Sequence, residues 1–161
     1  MTATDTPAHA TLDLEHFLPY RLSVLSNRVS QTIANAYAER FDLAITEWRV
    51  IAILGRHPGI SANGVAERTA MDKVAVSRAI ARLLERGFVQ RDIHDNDRRR
   101  SVLELSEAGY RIYDEVVPLA LGYEQRLLAS LEPAEAAMLD RVVGKLTDAI
   151  LRIADEDAFS R

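Results

Sequence analysis

The part of the chain whose side chains could carry chemistry is short and basic. Residues 73–100 hold eight Lys and Arg against four Asp and Glu, although the whole chain of 161 residues has a net charge of −4. Such cations bind phosphates, and arginine also pairs with the edge of a guanine base. The local excess of positive charge therefore indicates a nucleic-acid-binding surface. The alternative is a solvated helix face followed by a charged loop, but three consecutive arginines repel one another unless an anion meets them.

A helical pattern after Asp72 would position the first of these cations. Val76, Ile80 and Leu83 repeat at i, i+4 and i+7 and are expected to share one buried face. Asp72 can accept hydrogen bonds from the free N–H groups of the first turn. The short link 69–71 joins this helix to the one before, which predicts a helix-turn-helix whose second helix can lie in the DNA major groove.

Residues facing away from the buried stripe are the candidates for contact with DNA. Arg78 can pair with a guanine edge through two hydrogen bonds, and Val74 or Ala75 can touch a thymine methyl group. For Arg82 and Arg86 the alternative is surface solvation or pairing with Glu85. The predicted contacts of this helix are Lys73, Val74, Ala75, Ser77, Arg78 and Arg82.

The remaining cations lie in a polar loop between two predicted strands. Gly87 ends the helix, Phe88 and Val89 begin the first strand, and residues 102–105 mark the return strand. The loop 95–100 reads DNDRRR. It is long and polar enough to leave the protein surface as a wing.

This part of the sequence resembles the MarR family of winged helix-turn-helix regulators. It contains the helix pair, the arginine loop and the return strand in the order and at the spacing of that family. The resemblance rests on MDKVAVSRAIARLLERGFV and DRRRSVLELSEAG, in which Asp97-x-Arg99 is followed by Leu105-Ser106-x-x-Gly109. The flanking segments match in length and type. The family implies a helical dimer with two winged lobes that usually represses transcription and often releases DNA when a small molecule binds.

The resemblance also implies roles in the wing. Asp97 would hold the wing arginines through a charge-assisted hydrogen bond, and Arg99 would reach a narrow minor groove. The predicted wing contacts are Asp97, Arg98, Arg99 and Arg100.

Long helical patterns flank the lobe and predict a mainly helical single domain over residues 1–161. Residues 46–106 would form the winged lobe with its small β-hairpin, and residues 12–41 and 107–156 the dimerisation helices. Thr46 and Ser61 are expected to cap the second and third helices. The outer helices carry more apolar surface than one small lobe can cover, which favours a homodimer on an inverted-repeat operator. The alternative is that they pack only on their own lobe.

The sequence lacks the residue patterns that several kinds of chemical site require. The chain has no cysteine, which excludes disulfides, thiolate zinc sites and cysteine redox switches. The four histidines are scattered, and no metal-binding, nucleophile-elbow or phosphate-loop pattern occurs. We therefore expect no enzyme, cofactor or metal site. No membrane-length apolar run and no signal-peptide pattern occurs, so we expect a cytoplasmic protein.

A small-molecule site is placed by the resemblance between the dimer base and the winged lobe, against helices 1, 2 and 5. An aromatic floor with an arginine suits an anionic aromatic ligand. FLPYRLSVLSNRVS and EWRV also resemble members that control aromatic-acid breakdown, which implies an aromatic carboxylate or its coenzyme A thioester as effector. The alternative is that Trp48 and Tyr20 are core and that the arginines form ion pairs. The residues at these positions are Pro19, Tyr20, Ser23, Asn27, Arg28, Trp48, Arg49 and Tyr110.

A winged helix could also serve only for contact between proteins. Such a module would not need three arginines in its wing. We therefore favour a dimeric DNA-binding repressor that responds to a ligand.

Overall fold

A computed structural model describes residues 9–93 and 101–159. The mainly helical winged helix-turn-helix fold with a small antiparallel hairpin is confirmed. Among the described residues, no helix combines the length and the apolar character that crossing a membrane requires. The elements in chain order are α1 Leu18–Phe41, α2 Ile45–Arg56, α3 Ala62–Thr69, α4 Lys73–Glu85, β1 Val89–Ile93, β2 Ser101–Leu105, α5 Glu107–Leu128 and α6 Pro133–Phe159.

The core of the winged lobe forms where α2, α3 and α4 pack on one another, with α2 also packed on β2 and α4 on β1. Helix α4 contributes the predicted stripe, since Val76, Ile80 and Leu83 are all at most 3% exposed. Val50, Ile51 and Leu54 of α2, together with Val65 of α3, are completely buried. Each helix thus buries one face at helical spacing, as the sequence pattern predicts.

Both ends of α4 are fixed by local hydrogen bonds. Asp72 Oδ1 accepts from the N–H groups of Val74 at 2.9 Å and Ala75 at 3.1 Å, so the predicted cap is confirmed. At the other end Gly87 adopts a φ of +71°, and its N–H donates to the carbonyl of Leu84 at 3.1 Å. The N–H of Phe88 reaches the carbonyl of Leu83 at 2.9 Å, which completes a Schellman motif.

The start of α2 differs from the prediction that Thr46 caps it. The helix begins at Ile45, and Ala44 takes the cap position without a side chain that can accept a hydrogen bond. Instead the Glu47 carboxylate reaches back and accepts from the Ala44 N–H at 2.9 Å. This is one half of a capping box, and it moves the start of the helix to Ile45. Ser61 does cap α3, where its Oγ accepts from the Gly64 N–H at 3.1 Å.

The wing hairpin pairs β1 with β2 in a register that runs from Val89 opposite Leu105 to Ile93 opposite Ser101. The link between α2 and α3 adds a short bridge that the sequence pattern did not indicate. The Gly59 N–H donates to the carbonyl of Leu103 at 3.0 Å, and the Leu103 N–H donates to that of Ile60 at 2.8 Å. The base of the wing is therefore tied to the core of the lobe.

The turn from β2 into α5 explains the Leu-Ser-x-x-Gly pattern. Ser106 Oγ donates to the carbonyl of Gly87 at 2.6 Å and accepts from the Gly109 N–H at 3.1 Å. The Ser106 N–H donates to the carbonyl of Phe88 at 3.0 Å. A Cβ atom on Gly109 would lie 2.1 Å from that same carbonyl oxygen, so only glycine fits at this position.

Packing divides the chain within α5 into a first unit that ends at Leu119 and a second that begins at Ala120. The second unit contains α6, on which the large apolar side chains are 40–60% exposed. A groove of about 540 Å³ runs along residues 131–142 between largely apolar side chains. The exposed apolar residues of α6 are Met138, Leu139, Val142, Val143, Leu146, Ile150, Leu151 and Ile153.

Gly109→Ala should destabilise the protein because the new methyl group meets backbone that cannot move aside. We expect a loss of roughly 1–3 kcal/mol or more in the free energy of unfolding. Gly122→Ala on the same helix is the matched control, since a Cβ there meets nothing within 4 Å and should add up to about 1 kcal/mol. Urea unfolding at one protein concentration measures both, and equal effects would contradict the close contact at Gly109.

Candidate nucleic-acid interface

The face of α4 opposite the buried stripe is open to solvent. Lys73, Ser77, Arg78 and Arg82 are exposed along it, and Val74 is 55% exposed despite being apolar. Ala75 is half-buried. The structure thus brings the predicted α4 residues, apart from Ala75, onto one accessible surface, which can offer cations to phosphates and side chains to base edges.

Arg82 on this face forms an ion pair with a residue of another helix. Its Nε lies 3.2 Å from Oε1 of Glu47 on α2, while 68% of the Arg82 side chain stays exposed. The sequence had offered Glu85 as the partner. Glu47 takes that place because packing of α2 on α4 buries its carboxylate against the helix.

Arg86 supports the structure at the C-terminal end of α4. Its guanidinium donates to the carbonyl of Phe41 at 2.7 Å and to that of Asp42 at 2.6 Å. It also lies 4.7 Å from the centroid of the Phe88 ring. Arg86 therefore satisfies carbonyl groups at the end of α1, which a helix leaves without an internal partner.

The predicted wing contacts Asp97, Arg98, Arg99 and Arg100 lie outside the described residues. Within the described part of the hairpin, Gln90, Arg91 and Asp92 are exposed on β1. The paired strands flank the stretch of sequence that carries these arginines. The role of the wing stays a prediction from sequence.

Aromatic rings gather around Trp48, the residue that follows Glu47 on α2. The centroid of Trp48 is 5.7 Å from that of Tyr37 on α1 and 6.4 Å from that of Tyr113 on α5. Tyr110 meets Tyr113 edge to face at 6.5 Å. Trp48 is half-buried. It therefore agrees in part with the alternative interpretation, in which Trp48 is a core residue.

A small cavity lies beside Trp48. Arg49 reaches across its rim and donates to Ser30 Oγ at 3.0 Å. The cavity measures about 100 Å³, well below the roughly 300–1,000 Å³ of typical ligand sites. Its walls are Ser30, Ile33, Tyr37, Ile45, Trp48 and Arg49.

The effector residues proposed on α1 are not part of this cavity. Tyr20, Ser23, Asn27 and Arg28 are exposed on the first half of α1, as is Pro19. Tyr20 is 45% exposed, so within one chain it is not a core residue. The structure thus brings Trp48 and Arg49 to one cavity and places Tyr113 beside Trp48, and it leaves the proposed α1 residues on the surface.

Sequence reasoning missed Tyr37, Ser30 and Glu47 as members of these sites. Ser30 lies seven residues before Tyr37 and therefore on the same helix face, a spacing that could have indicated the pair. Burial raises the pKa of Tyr37 to about 12, while the charge of Arg49 opposes the shift. Its hydroxyl is therefore neutral and can donate a hydrogen bond. Within residues 9–93 and 101–159, no cluster of potential ligands could hold a metal ion.

Comparison with known proteins supports a transcriptional regulator. The family described as "MarR family" matches residues 41–100. The HTH-type transcriptional regulator BilQ of Clostridium symbiosum is 27% identical over 60% of this chain and 67% of its own. The HTH-type transcriptional repressor NicR of Pseudomonas putida is 24% identical over 98% of this chain and 99% of its own.

A solved structure gives the same result for the fold. The MarR/EmrR family transcriptional regulator from Acinetobacter sp. ADP1 has a TM-score of 0.80 and 26% identity, covering 88% of this chain and 99% of that one. Since these proteins are regulators, the prediction of a regulator and not an enzyme is confirmed.

Tyr37→Phe should reduce the loss of stability at alkaline pH. The unfolded chain releases the tyrosine proton near pH 10.0, whereas the folded protein keeps it up to about pH 12. Between these values the unfolded state binds fewer protons, so stability falls as pH rises, by up to about 1.4 kcal/mol per pH unit. Urea midpoints measured across this range should fall less steeply in the variant, and parallel curves would contradict the shift.

Proposed function

We propose that this chain is a MarR-family transcriptional regulator of the DNA-binding repressor type, which works as a homodimer on an inverted-repeat operator and is released by a small anionic aromatic ligand. The observation that carries the DNA-binding part is the exposed face of α4. Its opposite face is buried in the core and both of its ends are fixed, so the exposed residues project from a rigid support. Rigid presentation limits the entropy that binding removes.

Two kinds of contact follow from this face. Arg78 pairs with a guanine edge in the major groove, and Val74 packs on a thymine methyl group. Lys73 and Ser77 contact the phosphate backbone, which sets the register of the helix on the duplex without reading sequence. The wing residues 97–100 follow the adjacent minor groove, a role that rests on the sequence pattern alone.

Dimerisation involves the N-terminal segment and the last two helices, residues 12–41 and 107–156, with residues 46–106 as the DNA-binding lobe. The support is apolar surface that one chain leaves uncovered. Leu12 is 61% exposed, Leu25 54% and Ile150 60%. Patches of this kind on a protein surface mark interaction sites. A second copy would cover them and would place two recognition helices in successive major grooves.

The ligand site is the cavity at Trp48 and Arg49. Arg49 supplies a cation for a carboxylate, and the ring cluster supplies an aromatic wall for either an aromatic acid or its coenzyme A thioester. The cavity of about 100 Å³ is smaller than such a ligand, so binding has to open the contact between α1 and α2. A ligand that favours the open arrangement over the DNA-bound one lowers operator affinity, and a coupling of about 1–3 kcal/mol lowers it roughly 5–150-fold.

Arg78→Ala should relax discrimination at one base pair in each half-site, at a cost of roughly 1–3 kcal/mol there. Arg100→Ala should weaken binding to all sequences alike and reduce the salt slope by about 0.9 for each lost phosphate contact. The measurement is fluorescence anisotropy on single-base variants of a duplex that the wild-type protein selects from a random pool. Arg152→Ala on α6 is the control. If Arg78→Ala weakened selected and random duplexes equally, base reading by Arg78 would be wrong.

Sedimentation equilibrium at micromolar concentration should give twice the chain mass of 18.0 kDa. Leu146→Arg places a charge in the exposed apolar stripe of α6 and should produce monomers. Asp148→Arg puts the same side chain on the far side of the helix and should leave the dimer intact. A wild-type protein that sediments as a monomer would rule out the proposed assembly.

The ligand can be sought by titrating compounds against a fluorescent operator complex. We expect one class of compound to release DNA from a panel of benzoates, hydroxycinnamates and their coenzyme A thioesters. Arg49→Ala should abolish that release without loss of DNA binding, because Arg49 borders the cavity. Arg28→Ala is the comparison, since Arg28 is exposed on α1. Release lost only in Arg28→Ala would move the site to the α1 surface. A panel without any active compound would overturn the anionic-aromatic assignment.

A further inference from the structure

Glu47 is a buried carboxylate whose charge the fold has to accommodate. The residue is 1% exposed, and its Oε2 accepts from the Ala44 N–H at 2.9 Å. Its Oε1 is buried and accepts no hydrogen bond from the described residues, yet it lies 3.2 Å from Nε of Arg82. A buried carboxylate is costly unless a cation compensates it. The ion pair with Arg82 is therefore not an incidental surface contact.

Arg82 belongs to the DNA-facing side of α4, one helical turn after Arg78. Glu47 lies beside the Nε of Arg82 and not beside its two terminal nitrogens, so Glu47 does not occupy the donors on those nitrogens, and the side chain is 68% exposed. We propose, on the basis of the proposed DNA-binding function, that Glu47 is a positioning residue that holds the Arg82 guanidinium so that its terminal nitrogens meet a DNA phosphate. A planar guanidinium with a fixed orientation matches a phosphate with two parallel hydrogen bonds.

A second arginine keeps Glu47 from cancelling the charge of Arg82. Arg86 Nη1 lies 3.9 Å from Glu47 Oε2, and Arg86 is itself held by the carbonyls of Phe41 and Asp42. Arg86 is 29% exposed at its side chain, against 68% for Arg82. The group of two arginines and one carboxylate therefore keeps a net positive charge, and Arg82 is the member that DNA can reach.

Two physical effects act on DNA binding with opposite signs. Glu47 adds negative charge near the DNA, which by itself weakens attraction to phosphates. Glu47 also restricts an arginine side chain that otherwise loses rotamer entropy when it binds DNA. The positioning role requires the second effect to exceed the first. Removing the Glu47 charge should then weaken DNA binding, whereas simple electrostatics expects tighter binding.

Glu47→Gln separates the two roles of this side chain. A glutamine at this position can still accept from the Ala44 N–H, so the start of α2 is kept, but the ion pair with Arg82 is lost. We expect the dissociation constant for the selected operator duplex, and for a random duplex, to rise at least about threefold. Glu85→Gln, which removes an exposed carboxylate from α4 itself, should leave affinity unchanged or tighten it.

The double variant is the decisive readout. Arg82→Ala should weaken binding and reduce the salt slope by about 0.9 for each lost contact. In the Arg82→Ala background, Glu47→Gln should no longer weaken binding, because the positioning action passes through Arg82 and only the loss of the negative charge remains. Thermal unfolding of each variant checks that the fold is kept. An equal loss of affinity with and without Arg82 would show a general structural role and overturn the proposal.

Other outcomes are also decisive. If Glu47→Gln binds DNA as tightly as the wild type or more tightly, electrostatic attraction prevails and the positioning role is wrong. If Arg82→Ala binds both duplexes like the wild type, Arg82 is no phosphate contact and the proposal is overturned, while DNA binding by Arg78 stands. Failure of the wild-type protein to bind any duplex would instead overturn the proposed function itself.

Discussion

The buried face of α4 is the constraint on which the rest of the lobe depends. Val76, Ile80 and Leu83 enter the core together, and this fixes the rotation of the helix about its own axis. Once that rotation is fixed, the helical repeat decides that Ser77 and Arg78 face solvent. The Asp72 cap and the Schellman motif at Gly87 then fix where the helix begins and ends. The surface offered to DNA is thus a consequence of burial on the other side.

Contacts beyond α4 connect that surface to the remainder of the first unit. The carbonyl of Phe88 accepts from Ser106, and Gly109 lets α5 approach it closely. Arg86 joins the end of α4 to the end of α1. Glu47 joins the start of α2 to α4. These links give α1, α2 and α5 a direct structural connection to α4.

The sequence correctly predicted those features of the fold that depend on residues close together in the chain. The apolar repeat of α4, the caps at Asp72 and Ser61, and the two strands of the hairpin all depend on residues a few positions apart, and the structure agrees with them. The start of α2 was misplaced because Glu47 outweighs Thr46, a competition between two local caps. The partners of Arg86 lie 44 and 45 residues away, and no periodicity in the sequence identifies such pairs. The small size of the cavity at Trp48 likewise follows from packing and not from composition.

The central claim, that the exposed face of α4 lies in the DNA groove, can be tested by site-directed DNA cleavage. The chain has no cysteine, so Ser77→Cys creates a unique attachment point for an iron–EDTA reagent on that face. Asp148→Cys on α6 is the matched control. With α4 in the major groove, the Ser77→Cys conjugate should cut the selected operator in two clusters separated by about one helical turn, and the control should not. Uniform cutting, or the same pattern from both conjugates, would contradict the claim.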